Sequence, residues 1–273
     1  MTNFFPLGEL LEFSFSKLVM AGSQSWWDAM MPPKDISTNG HLIDSLFNYT
    51  TYLNIFYFLL VFGGLIGFSF LYNRKRHPKP YYTYGNTKKQ ILLTAGIGAA
   101  VFLSIDMKIT TMSSNDLINV FWNYPKGDDV VKIEVLAQQW MWNFRYPGPD
   151  SNFNTDDDYV SNHDLYVPVG KKIEFRVSSK DVIHSFYLPN ARLKVDAIPG
   201  RITRFWVEFT EPGNFEVACA EMCGTHHYMM KGRLIVLSQE KYAQFLKDST
   251  TIATYANDTS NLDNYWGWKW ENE

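Results

Sequence analysis

The 273-residue sequence predicts a two-helix transmembrane hairpin followed by an all-β sandwich or barrel domain. Three observations predict it. No Asp, Glu, Lys or Arg occurs between Ser45 and Asn73, and a second uncharged stretch runs from Gln90 to Ile105. Beyond residue 110, short alternating apolar segments are separated by the turn signals Pro147-Gly148-Pro149, Val169-Gly170, Pro199-Gly200 and Pro212-Gly213. A composition that is 46% hydrophobic and 19% charged excludes a disordered chain. The net charge of -3 argues against nucleic acid as a partner, which needs a clustered basic surface. Neither an internal repeat nor a Gly-rich phosphate loop is present.

Residues 1–44 do not read as a secretory signal, because Glu9 and Glu12 interrupt the apolar run and no basic start precedes it. An extracytoplasmic segment with an interfacial amphipathic helix is expected there, and Trp26 and Trp27 suit a headgroup region. Residues 45–109 form the hairpin. Its first span, Leu53 to Tyr72, has the roughly 20 apolar residues that cross a hydrocarbon core of about 30 Å. Gly63, Gly64 and Gly67 suit close helix packing in lipid. The shorter second span is framed by Lys88 and Lys89 at one end and by Asp106 and Lys108 at the other. The connecting loop, residues 73–89, carries Arg74, Lys75, Arg76, Lys79, Lys88 and Lys89 and no acid, which places it on the cytoplasmic side. The large domain then lies on the opposite face.

Residues 110–245 make up that domain. In Lys172 to Val177 the apolar Ile173, Phe175 and Val177 alternate with charged residues, the period of a half-buried strand. Arg204 to Phe209 repeats the pattern, and further strands are expected from Val130, Asn214 and Arg233. Helix signal is confined to Gln239 to Lys247. The run Asp156, Asp157, Asp158 reads as a solvated loop. Residues 246–273 form an aromatic tail with Trp266, Trp268 and Trp270 on alternate positions, suited to docking on a neighbouring subunit.

The chemistry is concentrated between Cys219 and Met230, where two thiols, two imidazoles and thioethers fall within twelve residues. This soft-to-borderline donor set favours copper over magnesium or calcium and also accepts zinc. The four-residue spacing of Cys219 and Cys223 is neither the CxxC of a zinc knuckle nor the CxxCH of a covalently attached haem. Taken singly, the residues leave other readings open: a Cys219–Cys223 disulfide, a surface His226 or His227, and core-filling Met229 and Met230. His184, in DVIHSFYLP, follows an alternating strand and is the natural ligand from an earlier strand, although alone it would read as a hydrogen-bonded structural histidine.

DVIHSFYLPNARLKVDAIPGR followed by ACAEMCGTHHYMM resembles subunit II of the heme-copper respiratory oxidases, the cytochrome c oxidase subunit that carries a binuclear copper centre, CuA. The resemblance covers roughly residues 35–245, and the C-x-E-x-C-G-x-x-H-x-x-M pattern is specific. It implies a cupredoxin-like fold. It also implies that Cys219 and Cys223 are bridging thiolates, that His184 and His227 ligate one copper each, and that Met230 is a weak ligand. Glu221 would give copper its backbone carbonyl and a magnesium or manganese ion its carboxylate, at the contact with subunit I; His226 would not ligate. Gln139-Trp140-Met141-Trp142 matches the family's aromatic segment, which makes Trp140 the residue where electrons arrive from cytochrome c.

The implied function is to accept electrons from a cytochrome c and pass them to the haems of subunit I, where a third copper also resides, for oxygen reduction coupled to proton pumping. The partners are then subunit I, the other oxidase subunits, lipid, and a donor that is a separate cytochrome or one held in a larger respiratory assembly. Residues 110–273 carry 22 acidic against 16 basic residues, a surface that steers a basic donor. The long segment before the first span points to a bacterial inner membrane, with the large domain periplasmic. A CuA-bearing nitric oxide reductase subunit shares every ligand. A membrane-tethered copper chaperone fits less well, because His184 precedes the cysteines and no alternating βα units are present. Gln90 stands where relatives commonly carry a glutamate at a proton pathway, and Leu93-Thr94 replaces the usual Trp-Thr, so proton passage through this subunit is not expected.

Overall fold

The computed structural model describes residues 31–249 apart from 80, 81, 149, 154 and 156. The interfacial helix expected before residue 31 and the tail with Trp266, Trp268 and Trp270 lie outside the described residues. Two long helices come first, α1 at Gly40–Leu71 and α2 at Lys88–Phe121. At about 1.5 Å per residue, their 32 and 34 residues run about 48 and 51 Å, well beyond a hydrocarbon core of about 30 Å. With the basic loop at one bilayer surface, as its charge leads one to expect, the surplus turns would stand on the domain side. There Lys108 lies over the Tyr49 ring, 4.4 Å from its centroid. The second helix therefore continues through the expected boundary at 110. Side chains such as Leu59, Leu65, Phe70, Leu92 and Leu103 are exposed along both helices, which only lipid or partner helices would tolerate.

Thr87 and Gln90 close a capping box at the start of α2, with the Thr87 side chain accepting from the Gln90 amide and Gln90 Oε1 accepting from the Thr87 amide. Gln90 therefore satisfies an orphan helix-terminal donor. Two five-residue π-helical stretches, Phe102–Asp106 and Leu117–Phe121, widen α2 in its outer half.

Among the described residues, ten strands form a sandwich of two mixed five-stranded sheets, the cupredoxin-like arrangement. They are β1 (Val131–Gln138), β2 (Met141–Tyr146), β3 (Tyr159–Asn162), β4 (Asp164–Pro168), β5 (Lys172–Ser179), β6 (His184–Leu188), β7 (Leu193–Ala197), β8 (Thr203–Glu208), β9 (Gly213–Cys219) and β10 (Lys231–Leu237). One sheet has the order β3-β2-β1-β5-β8 and the other β4-β10-β9-β6-β7, with β1–β5 and β4–β10 parallel. Alternate residues point inward. Ile133, Val135, Trp142, Phe144, Phe175 and Val177 of the first sheet meet Leu165, Phe186, Val217 and Leu234 of the second in one buried core. A short helix, α3 (Gln239–Asp248), caps one end by setting Phe245 against Tyr146, Tyr159 and Tyr166.

Two expectations are corrected here. The strand at Lys172–Ser179 is not half-buried: it runs between β1 and β8, and its charged Glu174 and Arg176 are buried as well. Glu134 and Arg145 share that outer face, and Arg145 Nε donates to Glu134 Oε2 at 2.8 Å. Nor is Asp158 solvated. It is fully buried 3.8 Å from Arg145, while Phe153 packs against the same guanidinium, because a cation enclosed in the sheet requires anions around it.

The residues before α1 are part of the domain. Ile36 is fully buried, its amide donates to Asn190 O, and its carbonyl accepts from the Thr210 amide. Ser37 bridges Phe209, and Thr38 donates to Glu208 O, so this short segment extends the β8 edge. Asp44, in the first turns of α1, accepts two bonds from Arg192, at 2.6 and 3.1 Å. The hairpin is thus fastened to the sandwich by α2 and again by this strap. Ile36→Ala should remove about 2–5 kcal/mol of domain stability, read as a lowered thermal unfolding midpoint of the full chain; an unchanged midpoint would show that the strap is not part of the core.

Candidate metal centre

The site is assembled by strand pairing. Cys219 is the last residue of β9 and lies opposite Phe186 of β6, which brings His184 at the start of β6 beside it. Residues 220–230 then leave the sheet and return, closed at the base by the Cys219 amide donating to Met230 O. Five side-chain donors and one carbonyl converge there, His184 from β6, Cys219 from the end of β9 and the rest from the excursion. Cys219 Sγ stands 3.8 Å from Cys223 Sγ and 3.9 Å from His184 Nδ1. Cys223 Sγ is 3.6 Å from His227 Nδ1 and 3.7 Å from Met230 Sδ, and His184 Nδ1 is 3.2 Å from the same thioether. Glu221 O faces Cys219 Sγ at 3.3 Å. A sulfur separation of 3.8 Å is far beyond the roughly 2.05 Å of a disulfide, so both cysteines are free thiols.

Of the residues singled out in the sequence, the structure brings Cys219, Cys223, His184, His227, Met230 and the Glu221 carbonyl together. Met230, Cys223 and His184 are buried, whereas the Glu221 side chain is exposed. His226 points away, with its Nδ1 at Thr225 and its ring against Trp140 at 4.4 Å between centroids. Trp140 is half-buried over the loop, its Cζ2 3.0 Å from where a side chain on Gly224 would begin. Trp142 is fully buried and edge-on to His184 at 6.2 Å.

Asp181 went unnoticed in the sequence, although an acid three residues before a ligand-type histidine is a usable signal. Its Oδ1 lies 2.8 Å from His184 Nε2, a hydrogen bond that orients the ring with Nδ1 aimed at the sulfurs. Burial alone would raise the Asp181 carboxyl, but bonds from His184, Gln139 and Val182 hold it below the ordinary carboxylate range. Burial likewise works against the charged His184 ring, yet Cys219 and Asp181 raise its pKa overall.

The thiols are unequal. Burial opposes ionisation of Cys219, but hydrogen bonds from His184 and the Ser185 backbone overcome it and bring its pKa to about 6. Burial and the neighbouring Cys219 charge push Cys223 up to about 12. The metal-free pair therefore shares one proton at neutral pH. Two thiols, two imidazole nitrogens, a thioether and a carbonyl suit a soft-to-borderline ion, and copper fits this set best.

A hairpin long and apolar enough to cross a membrane, carrying a β-sandwich with such a donor cluster, defines a cupredoxin-like membrane protein with a candidate metal centre. A family model described as "Cytochrome C oxidase subunit II, periplasmic domain" matches residues 131–238. The alternative cytochrome c oxidase subunit 2 of Bradyrhizobium diazoefficiens is 30% identical over 250 residues, 84% of this chain and 85% of that one. The probable cytochrome c oxidase subunit 2 of Rickettsia conorii is 29% identical over 220 residues, 76% of this chain and 67% of that one. Among solved structures, the periplasmic domain of subunit II of cytochrome oxidase from Bradyrhizobium japonicum aligns with 46% of this chain and 95% of its own, at 28% identity and a TM-score of 0.41. The chain belongs to the cytochrome c oxidase subunit 2 family. It is a component of a heme-copper oxidase, a membrane oxidoreductase, and carries a periplasmic domain.

In the metal-free chain, iodoacetamide should alkylate Cys219 well before Cys223 at neutral pH, with the Cys219 rate falling as pH drops through about 6. Equal rates for the two thiols, measured by peptide mass spectrometry, would contradict the shared proton.

Proposed function

We propose that this chain is the electron-accepting subunit of a heme-copper terminal oxidase in a bacterial inner membrane. Electrons from a cytochrome c would arrive near Trp140, the donor cluster of this chain would hold a binuclear copper centre for them, and oxygen reduction coupled to proton pumping would take place at the haems of subunit I. The observation that carries this reading is the convergence of six donors, with the two sulfurs 3.8 Å apart and an imidazole nitrogen beside each. Cys219 and Cys223 would bridge two coppers, His184 and His227 would hold one each, and Met230 and the Glu221 carbonyl would complete the set. When bound, the pair supplies reversible uptake of a single electron.

The chain's own residues do the rest. Strands β6, β9 and β10 anchor the donors to the core, so little rearrangement accompanies each transfer. Asp181 orients the His184 ring. The exposed Glu221 carboxylate is free to reach a magnesium or manganese ion at the contact with subunit I. Trp140 lies above the loop against His226, and the exposed Met222, Tyr228 and Met229 offer apolar contact for partners. The excess of 22 acidic over 16 basic residues in 110–273 favours encounter with a basic donor and makes it salt-sensitive. The division into residues 1–44, 45–109, 110–245 and 246–273 is kept in outline with shifted bounds, because Ile36 to Thr38 pack on the sandwich, α2 runs on to Phe121 and α3 ends at Asp248.

Purified full-length chain should take up two copper ions, and Cys219→Ser or Cys223→Ser should reduce this to one or none. Trp140→Phe should leave copper content unchanged but slow electron uptake from reduced cytochrome c in the assembled oxidase. Full copper content in both serine variants would contradict the ligand assignment.

A further inference from the structure

The donors come from two segments, β6 and the β9–β10 excursion, and a third element links them away from the strand pairing. This is the β1–β2 turn at Gln139. Its side-chain Nε2 donates to Cys223 O at 2.7 Å, and its backbone N–H donates to Asp181 Oδ2 at 2.6 Å. Asp181 in turn accepts from His184 Nε2 at 2.8 Å and from the Val182 amide at 2.6 Å. One continuous chain of hydrogen bonds thus runs from the peptide of Cys223, through both ends of Gln139 and the carboxylate of Asp181, to the imidazole of His184.

The approach of this turn to the loop is close. A Cβ on Gly224 would fall 2.9 Å from Gln139 Nε2 and 3.0 Å from Trp140 Cζ2, and Gly224 has φ +123°, a conformation that side chains rarely adopt. The Cys223 carbonyl is therefore presented to the Gln139 amide by a residue that permits both the backbone turn and the contact. Gln139 itself is exposed, so the bond is not a by-product of core packing.

We propose that Gln139 is a positioning residue of the metal centre, holding Cys223 and His184 in register with each other before metal binds. This rests on the copper reading above. Asp181 orients one imidazole, whereas Gln139 spans the two ligand-bearing segments and sets the distance between them. Groups that orient ligands from outside the coordination sphere typically change metal affinity by about 10–100-fold when lost.

The test uses full-length chain in detergent with Gln139→Met, which keeps the length but removes the donor, and Gln139→Ala. In the metal-free state, amide hydrogen exchange across residues 219–230 should rise in both variants, while exchange in the core strands stays at the wild-type level. After copper loading, release to a chelator should be about tenfold faster in both, and the copper hyperfine pattern should change. Wild-type exchange and release in Gln139→Met would overturn the proposal, since packing alone would then suffice, whatever the alanine variant does. Unaltered loop exchange in both variants, with a copper-loaded wild type, would sink the clamp and leave the copper reading intact. A wild-type chain that takes up no copper would sink the copper reading and the positioning role with it.

Discussion

The pairing of β6 with β9 is the constraint on which everything else at the site depends. Phe186 opposite Cys219 puts residues 35 positions apart in sequence within 3.9 Å of each other at their donor atoms. The sandwich supplies the rigidity for this, because both strands bury Phe186 and Val217 in the common core and β10 returns alongside β9 to seal the excursion. A metal centre held this way draws its geometry from the fold rather than from the ion. Hydrogen bonds outside the donor cluster, from His184 to Asp181 and from Gln139 to Cys223, then remove the remaining freedom of the donor residues.

The same sandwich is tied to the membrane in two places. Helix α2 leads into β1, and the strap before α1 lays Ile36 into the core and sets Asp44 on Arg192. Arg192 lies in the β6–β7 turn, at the far end of the strand that His184 begins. The anchor and the strand that carries His184 are therefore mechanically continuous. A domain on a single flexible tether would present its site in many orientations, whereas a doubly fastened one presents it in one.

Much of this was legible in the sequence, for identifiable reasons. Uncharged runs reveal helices because lipid tolerates nothing else, and β8 shows alternation because one of its faces lies on the core. The donor cluster is readable because Cys219, Cys223, His227 and Met230 lie within twelve residues. What escaped depends on tertiary partners. Ile36 looks like any isolated apolar residue until β8 is beside it, and Asp158 looks solvated until Arg145 is found inside the sheet. Gln139 and Asp181 acquire their hydrogen-bond partners when three distant turns meet at one end of the sandwich, although the placing of Asp181 three residues before His184 is visible in the sequence.

The most direct measurement is electron paramagnetic resonance of the copper-loaded full-length chain holding one unpaired electron. Hyperfine structure from two equivalent copper nuclei is expected, because both thiolates can be shared between two ions with one imidazole each. A spectrum with the spin on a single copper nucleus would contradict the binuclear centre and reduce the cluster to a mononuclear site.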